Sequence, residues 1–290
     1  MVEAAIGYQC RTCASTKVRP QGEAQTAHAR RRRGKVLSSI TAVAILAGGA
    51  GAVLWLGQQP RDAGTARADT ELIIHQPDRS SSAPANNPEG YALLASDAQG
   101  RPIRFNPCEP LEYVVNPTGA PPDALTALNH AITEVSKATG IEFVPAGQTS
   151  EKPSVGRPNS SRKTYGDRWS PVLIAWDALG RPTETQGISA IGGPGQPVRS
   201  QGRYLYVTGF VTMNTDAPMS AIDMKATLMH ELGHLLGLDH IDDAGQIMNP
   251  SGRSDSQAVW GQGDLAGLAA VGREAGCLTT PLAPGQRRTA

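Results

Sequence analysis

The chain has 290 residues, 39% of them hydrophobic, with 27 Lys/Arg against 26 Asp/Glu. That length suffices for one sizeable core, and a net charge of +1 gives no sign of a nucleic-acid-binding face. The balance is uneven: residues 1–35 carry eight Lys/Arg against Glu3 and Glu23, or +6, which leaves −5 for the remainder.

The basic excess ends at Arg30 to Arg33 and Lys35, directly before Val36 to Leu56, 21 residues without a charge. As a helix that run spans about 31 Å, close to the hydrocarbon thickness of a bilayer. A transmembrane helix is therefore expected over 36–57, with the basic segment 1–35 in the cytoplasm by the positive-inside rule. The competing reading is a cleaved signal peptide with Ala66-Arg67-Ala68 as its site. The apolar run is longer than a usual h-region, however, and that site lies far downstream. Cys10 and Cys13 form a CxxC on the cytoplasmic side, without a second ligand pair there, and receive no function. Residues 58–88, rich in Pro, Ser, Asn, Ala and Asp, read as a flexible stalk in which His75 is solvated.

Residues 89–280 read as the folded domain, and 281–290 as a disordered tail. Tyr91 to Leu94 and Ile103 to Phe105 flank Asp97-Ala98-Gln99-Gly100 as a hairpin. Leu111 to Val115 is a strand. Pro121-Pro122-Asp123 opens a helix to about Thr139, with Leu125, Leu128, Ile132 and Val135 as its buried stripe and Gly140 as its stop. His130 falls on that helix and is no ligand. Ile141 to Val144 is the next strand, so the order implies a parallel pair joined by a crossover. Gly147 to Ser170 reads as a solvated surface insertion. Pro171 to Trp176 is an apolar, central strand, and Tyr204 to Met213 another.

Ile222 to Leu236 is the helix that carries chemistry. His230 and His234 stand four residues apart and so project from one face, which suits two imidazoles on one Zn²⁺. Glu231 sits beside the first ligand as a base for water rather than a ligand. Gly237 accepts the left-handed conformation that ends a helix, and the turn brings His240 back as third ligand. A fourth position stays open, which separates catalytic from structural zinc sites. Leu228, Leu232, Leu235 and Leu236 supply the side to bury.

His230-Glu231-x-x-His234-x-x-Gly237-x-x-His240, followed by Ile247-Met248-Asn249-Pro250, resembles a metzincin metalloprotease of the matrixin branch, in its bacterial form. Asn249 departs from the Tyr more often found there. The resemblance extends over residues 89–280 and implies an α+β fold: a mixed twisted β-sheet, a long active-site helix and two further helices. To these the chain adds the N-terminal transmembrane helix. It implies a zinc endopeptidase with Glu231 as general base, Met248 on a tight turn beneath the metal, and a peptide or protein substrate. Ile188 to Ile191, followed by Gly192-Gly193-Pro194-Gly195, resembles the edge strand along which that substrate lies. The loop Ser251 to Gly263, with Trp260, corresponds to a wall of the pocket after the scissile bond, and Asp264 caps a last helix, Leu265 to Arg273. Asp239, Asp242 and Asp243 are candidates to orient ligands, the latter two more simply turn residues. The histidines of a structural zinc have no counterpart, so one metal ion is expected; calcium and oligomeric state stay open.

Two rival functions remain: a zinc-binding extracellular module without turnover, and a protease secreted after signal cleavage. With the catalytic domain outside the cell, Cys108 and Cys277 are the only cysteines on the oxidising side and are expected to pair. Residues 57–107 contain no cysteine, so latency through a propeptide thiolate is not expected.

Overall fold

A computed structural model describes residues 89–179, 189–252 and 257–287, together with the two-residue strands Tyr8–Gln9, Leu72–Ile73 and Ala83–Pro84. The expected transmembrane helix, the CxxC and His75 lie outside the described residues. Among the described residues no helix is long and apolar enough to cross a membrane.

The strands are β1 (Leu111–Asn116), β2 (Phe143–Gln148), β3 (Val172–Asp177), β4 (Ala190–Pro194), the hairpin β5 (Val198–Ser200) and β6 (Arg203–Leu205), and β7 (Gly209–Asn214). The helices longer than one turn are α1 (Ala124–Thr139), α2 (Ala221–Leu236) and α3 (Gln262–Val271); a single turn, Arg162–Tyr165, lies between β2 and β3. The sheet runs β4-β7-β3-β1-β2, parallel except for β4, which is antiparallel to β7. Tyr8–Gln9 adds to the outer side of β4, antiparallel, with Tyr8 opposite Gly192. β3 is central and wholly apolar up to Asp177, as expected of a strand covered on both faces. The crossover from β1 through α1 to β2 gives the expected parallel pair.

Alternation along these strands sorts the core into two layers. Tyr113, Ile174, Trp176, Val211 and Met213 face α1 and α2 in the main cluster. Val114, Leu173, Ala175, Ile191 and Phe210 form the layer on the other face, against Tyr165 and Leu179.

Several boundaries differ from expectation. Leu125 is exposed at 43%; the buried stripe of α1 is Ala124, Ala127, Leu128, Ala131, Ile132 and Val135, and Leu125 sits at its margin in the first turn. Strand β2 begins at Phe143, leaving buried Ile141 as a plug before it. The single strand expected over Tyr204–Met213 is two, because Tyr206 donates its N–H sideways to Arg104 O at 3.1 Å. The N-terminal hairpin forms close to its turn, through Gly100 N–H to Asp97 O at 2.8 Å, Asp97 N–H to Arg101 O at 2.9 Å and Ile103 N–H to Ala95 O at 3.0 Å; its outer part, Ala92–Leu93, pairs instead with Leu238–Asp239. Leu72–Ile73 and Ala83–Pro84, within the expected stalk, pair with Ser96–Asp97 and Ile241–Asp242. In the expected tail, Ala283 is buried and Pro281 O accepts from the Trp169 indole at 2.8 Å.

The insertion is the largest correction. Arg157 is buried, and its Nε and Nη2 donate to the two oxygens of Glu151 at 2.8 and 3.1 Å. Its Nη1 donates to Thr208 Oγ1 at 2.8 Å and Gly209 O at 3.3 Å. The Tyr165 hydroxyl donates to the same carboxylate, and the guanidinium lies 5.7 Å over the Tyr165 ring. One cation thus fastens the insertion to the start of β7. Cys108 and Cys277 are joined, with Cα atoms 5.4 Å apart.

Candidate metal centre and active site

Helix α2 starts at Ser220, whose hydroxyl accepts from Asp223 N–H at 3.2 Å. It ends at Gly237, which has φ of 109°, and the Gly237 carbonyl accepts from Leu94 N–H at 2.9 Å. That reversal delivers Leu238–Asp239 to the strand Ala92–Leu93 and His240 to the helix face. Ile241 N–H then donates to Met248 O at 3.1 Å, tying the third histidine to the turn that carries Met248.

The three Nε2 atoms of His230, His234 and His240 lie 3.1–3.2 Å from one another. Among the described residues this is the one group of three or more ligating side chains. Two tautomers are fixed by backbone. His230 Nδ1–H donates to Ile247 O at 2.7 Å and His234 Nδ1–H to Leu238 O at 2.8 Å, so in the neutral ring each Nε2 is a bare acceptor. Bare acceptors at that separation repel unless a cation stands between them. Zn–N bonds of about 2.05 Å at tetrahedral angles put neighbouring nitrogens about 3.3 Å apart, so the set fits one zinc ion. Burial also lowers the pKa of all three rings, to about 4 for His230 and about 3 for His240, with His234 well below its usual value. The rings are therefore neutral, the form that binds metal.

Glu231 is fully buried and neither carboxylate oxygen has a well-formed hydrogen bond. Burial raises its pKa to about 8, against a smaller lowering from the neighbouring Gly192 N–H. The reason for the close approach is the bare Cα of Gly192. A methyl group there would stand 2.8 Å from Glu231 O, 2.8 Å from Oε2 and 2.9 Å from Cβ. Gly233 plays the same part on the other side of α2, where a Cβ would collide with Met248 Sδ. Met248 is buried, with its sulfur against the Gly233 position of the helix.

Asp264 does more than the sequence suggests. It is the third residue of α3 and its side chain accepts from the N-cap Gly261 N–H at 2.8 Å. Its two oxygens also accept from Ile247 N–H at 2.6 Å and Met248 N–H at 3.1 Å. Since Ile247 O in turn holds His230 Nδ1, the carboxylate braces the ligand through one peptide unit. No spacing announces this; only the acidic residue before an apolar helix is visible in the sequence.

The other candidates take lesser places. Asp239 accepts from the His240 N–H at 2.7 Å, while Asp243 makes its own turn through Gly245 N–H at 2.9 Å and Asp242 is exposed. Trp260 donates to Glu134 O of α1 at 3.4 Å, which fixes the loop to that helix. His130 is exposed on α1.

The matrixin family (Peptidase M10) matches residues 168–271, which run from before β3 to the end of α3. A solved structure, metalloproteinase-II from Bacteroides fragilis, aligns at 16% identity with a TM-score of 0.35, covering 60% of this chain and 57% of that one. The alignment thus spans little more than half of that protein. No curated protein matches the chain.

Proposed function

We propose that this chain is a zinc-dependent endopeptidase acting on extended peptide segments. The observation that carries the reading is the convergence of three imidazole Nε2 atoms, two of them on rings whose Nδ1–H groups are held by backbone carbonyls, beside a fully buried carboxylate. His230, His234 and His240 would hold the ion, which when bound supplies Lewis-acid polarisation of the scissile carbonyl and a water acidified towards a pKa of about 7. Glu231 does the proton work. A carboxylate kept from solvent is a stronger base than one in water, so its oxygen takes the water proton and returns it to the leaving nitrogen, worth about 10²–10⁴ in rate. The peptide lies along β4, whose outer N–H and C=O groups take an extended chain as an added strand. Met248, packed against Gly233 of the same helix, would supply an apolar floor for the site. A zinc-binding module without turnover is the second reading, and an intact Glu231 speaks against it.

Residues 89–280 form the catalytic domain in this proposal, with one metal ion. Cys108 is tied to Cys277, so neither is left for latency. Zinc-loaded protein is expected to cleave an unstructured polypeptide, and chelation to stop it. Glu231→Ala should keep one zinc per chain yet lose about 10²–10⁴ of the rate, whereas His234→Ala should lose both metal and activity. Undiminished cleavage by Glu231→Ala would remove the mechanism.

For location we propose a single-pass anchor over 36–57 with the catalytic domain outside. With residues 1–35 in the cytoplasm, Tyr8–Gln9 could not lie on β4 of the same chain, so the anchored topology and that pairing exclude each other. Protease added to intact cells should remove the domain beyond residue 58 and spare an N-terminal tag. Digestion of the tag from outside would overturn the topology.

A further inference from the structure

Two inner hydrogen bonds tell which groups of β4 face outward. Asn214 N–H donates to Ser189 O at 2.9 Å, and Gly195 N–H to Thr208 O at 2.7 Å. Residues 189, 191, 193 and 195 therefore turn their backbone towards β7, and by alternation Ala190, Gly192 and Pro194 turn theirs to the outer edge. Of these three, Pro194 has no N–H to give. At the next alternate residue, the Gln196 carbonyl is already taken by the Asn159 side-chain amide at 2.7 Å. The inner ladder thus continues to Gly195 while the outer edge closes at Pro194. An added strand in the antiparallel sense, the more stable ladder per residue, points its N-terminal part towards Pro194.

We infer that Pro194, backed by Asn159, ends the peptide-binding edge and makes recognition short on the N-terminal side of the scissile bond. The inference rests on the endopeptidase reading above. Beyond Gly192 no residue of the edge offers both a donor and an acceptor, so residues of the substrate upstream of the one facing Gly192 find no further ladder. Selectivity then falls to side chains near the bond and to the C-terminal flank. A proline on an edge also discourages edge-to-edge pairing between molecules. The two roles part company on peptides, because only the first makes affinity depend on how far the substrate extends.

The test uses the full chain, zinc-loaded, with fluorogenic peptides that share one scissile bond and grow by single residues at the N-terminus. For the natural sequence kcat/KM should rise and then reach a plateau. In Pro194→Ala combined with Asn159→Ala the plateau should move outward by two residues, with about a two- to tenfold gain over the added stretch, the usual worth of one ladder pair. The same peptides bound to Glu231→Ala, followed by fluorescence anisotropy, should show the same break without turnover. A series that keeps improving for the natural sequence, or one that superimposes for the double variant while it melts normally, would overturn the inference. So would loss of cooperative melting in the variant, which would make these residues requirements of the fold. Failure of the natural sequence to cleave any peptide would instead count against the endopeptidase reading, and the binding series would still report on the edge.

Discussion

On the helix side of the sheet, three imidazole nitrogens and a buried carboxylate converge, with no proton to share between the Nε2 atoms of the fixed pair. On the insertion side, Arg157 alone makes four hydrogen bonds to Glu151, Thr208 and Gly209. Each region buries a polar side chain, Arg157 in one and Glu231 in the other. The difference is in the partners: the Arg157 charge is paired within the protein and holds structure, whereas the imidazole Nε2 atoms face one another, an arrangement that a cation would complete. The contrast separates a brace from a reaction centre without reference to any motif.

The sharpest way to break that contrast is to remove the brace. Arg157→Ala leaves Glu151, 23% exposed, without its cation, and about 3 kcal/mol of stability should be lost. Denaturant unfolding would read this, while the rate per folded, zinc-loaded molecule should stay near that of the natural sequence. A pH signature accompanies it. Burial pushes the Glu151 pKa up, but hydrogen bonds from Arg157 and Tyr165 and the Arg157 charge outweigh it, and the net shift is downward. A depressed carboxylate stabilises the fold above its unfolded pKa and loses that contribution as pH falls through its folded value. The acid limb of the stability curve should therefore flatten in Arg157→Ala.

The reaction centre should respond in the opposite sense. In Gly192→Ala, either β4 or Glu231 must give way, and a displacement near 1 Å costs about 10² in rate. Zinc content, set by ligands that lie outside β4, should remain at one per chain. Equal kcat in the variant would mean that the contact is idle. Asp264→Asn lies between the two regions. It weakens the hold on Ile247 and through it on His230, so zinc affinity should drop by about 10–100-fold, measured by competition with a chromophoric chelator.

A smaller effect concerns acid. Because the ring pKa values are depressed, protons compete with metal only near about 4, the value for His230, rather than near 6.5. Zinc should stay bound on dialysis at about pH 5.5; release there would show the rings to be more basic than their burial implies.

The centre itself was open to reading because its geometry is local. A 3.6-residue period aligns His230 with His234, and a glycine marks where the helix must stop. Gly192 was placed on the edge strand by resemblance, but its tight fit to Glu231 depends on how a strand from one part of the chain lies on a helix from another. Asp264 acts on backbone N–H groups, which every residue carries, so no side-chain pattern betrays its targets. Gly147 to Ser170 reads as solvated because Ser, Gly and Pro crowd it; the partners of Arg157 at Thr208 and Gly209 are some fifty residues away. Leu125 shows the converse error, an apolar residue at helical spacing that ends at the margin of the stripe.

The Cys108–Cys277 link, 169 residues apart in sequence, closes nearly the whole domain into a ring. In the unfolded chain such a ring removes entropy worth about 5 kcal/mol, yet for a protease the topology has another result. A single cut anywhere inside the ring, whether by another copy or by a foreign enzyme, leaves two pieces of chain that the disulfide still joins, and releases no fragment. The two ends of the cut stay tethered through the sulfurs, and the interrupted loop can keep its place in the fold. Damage of this kind would pass unseen on a non-reducing gel and appear only after reduction, so the domain is built to outlast its first nick.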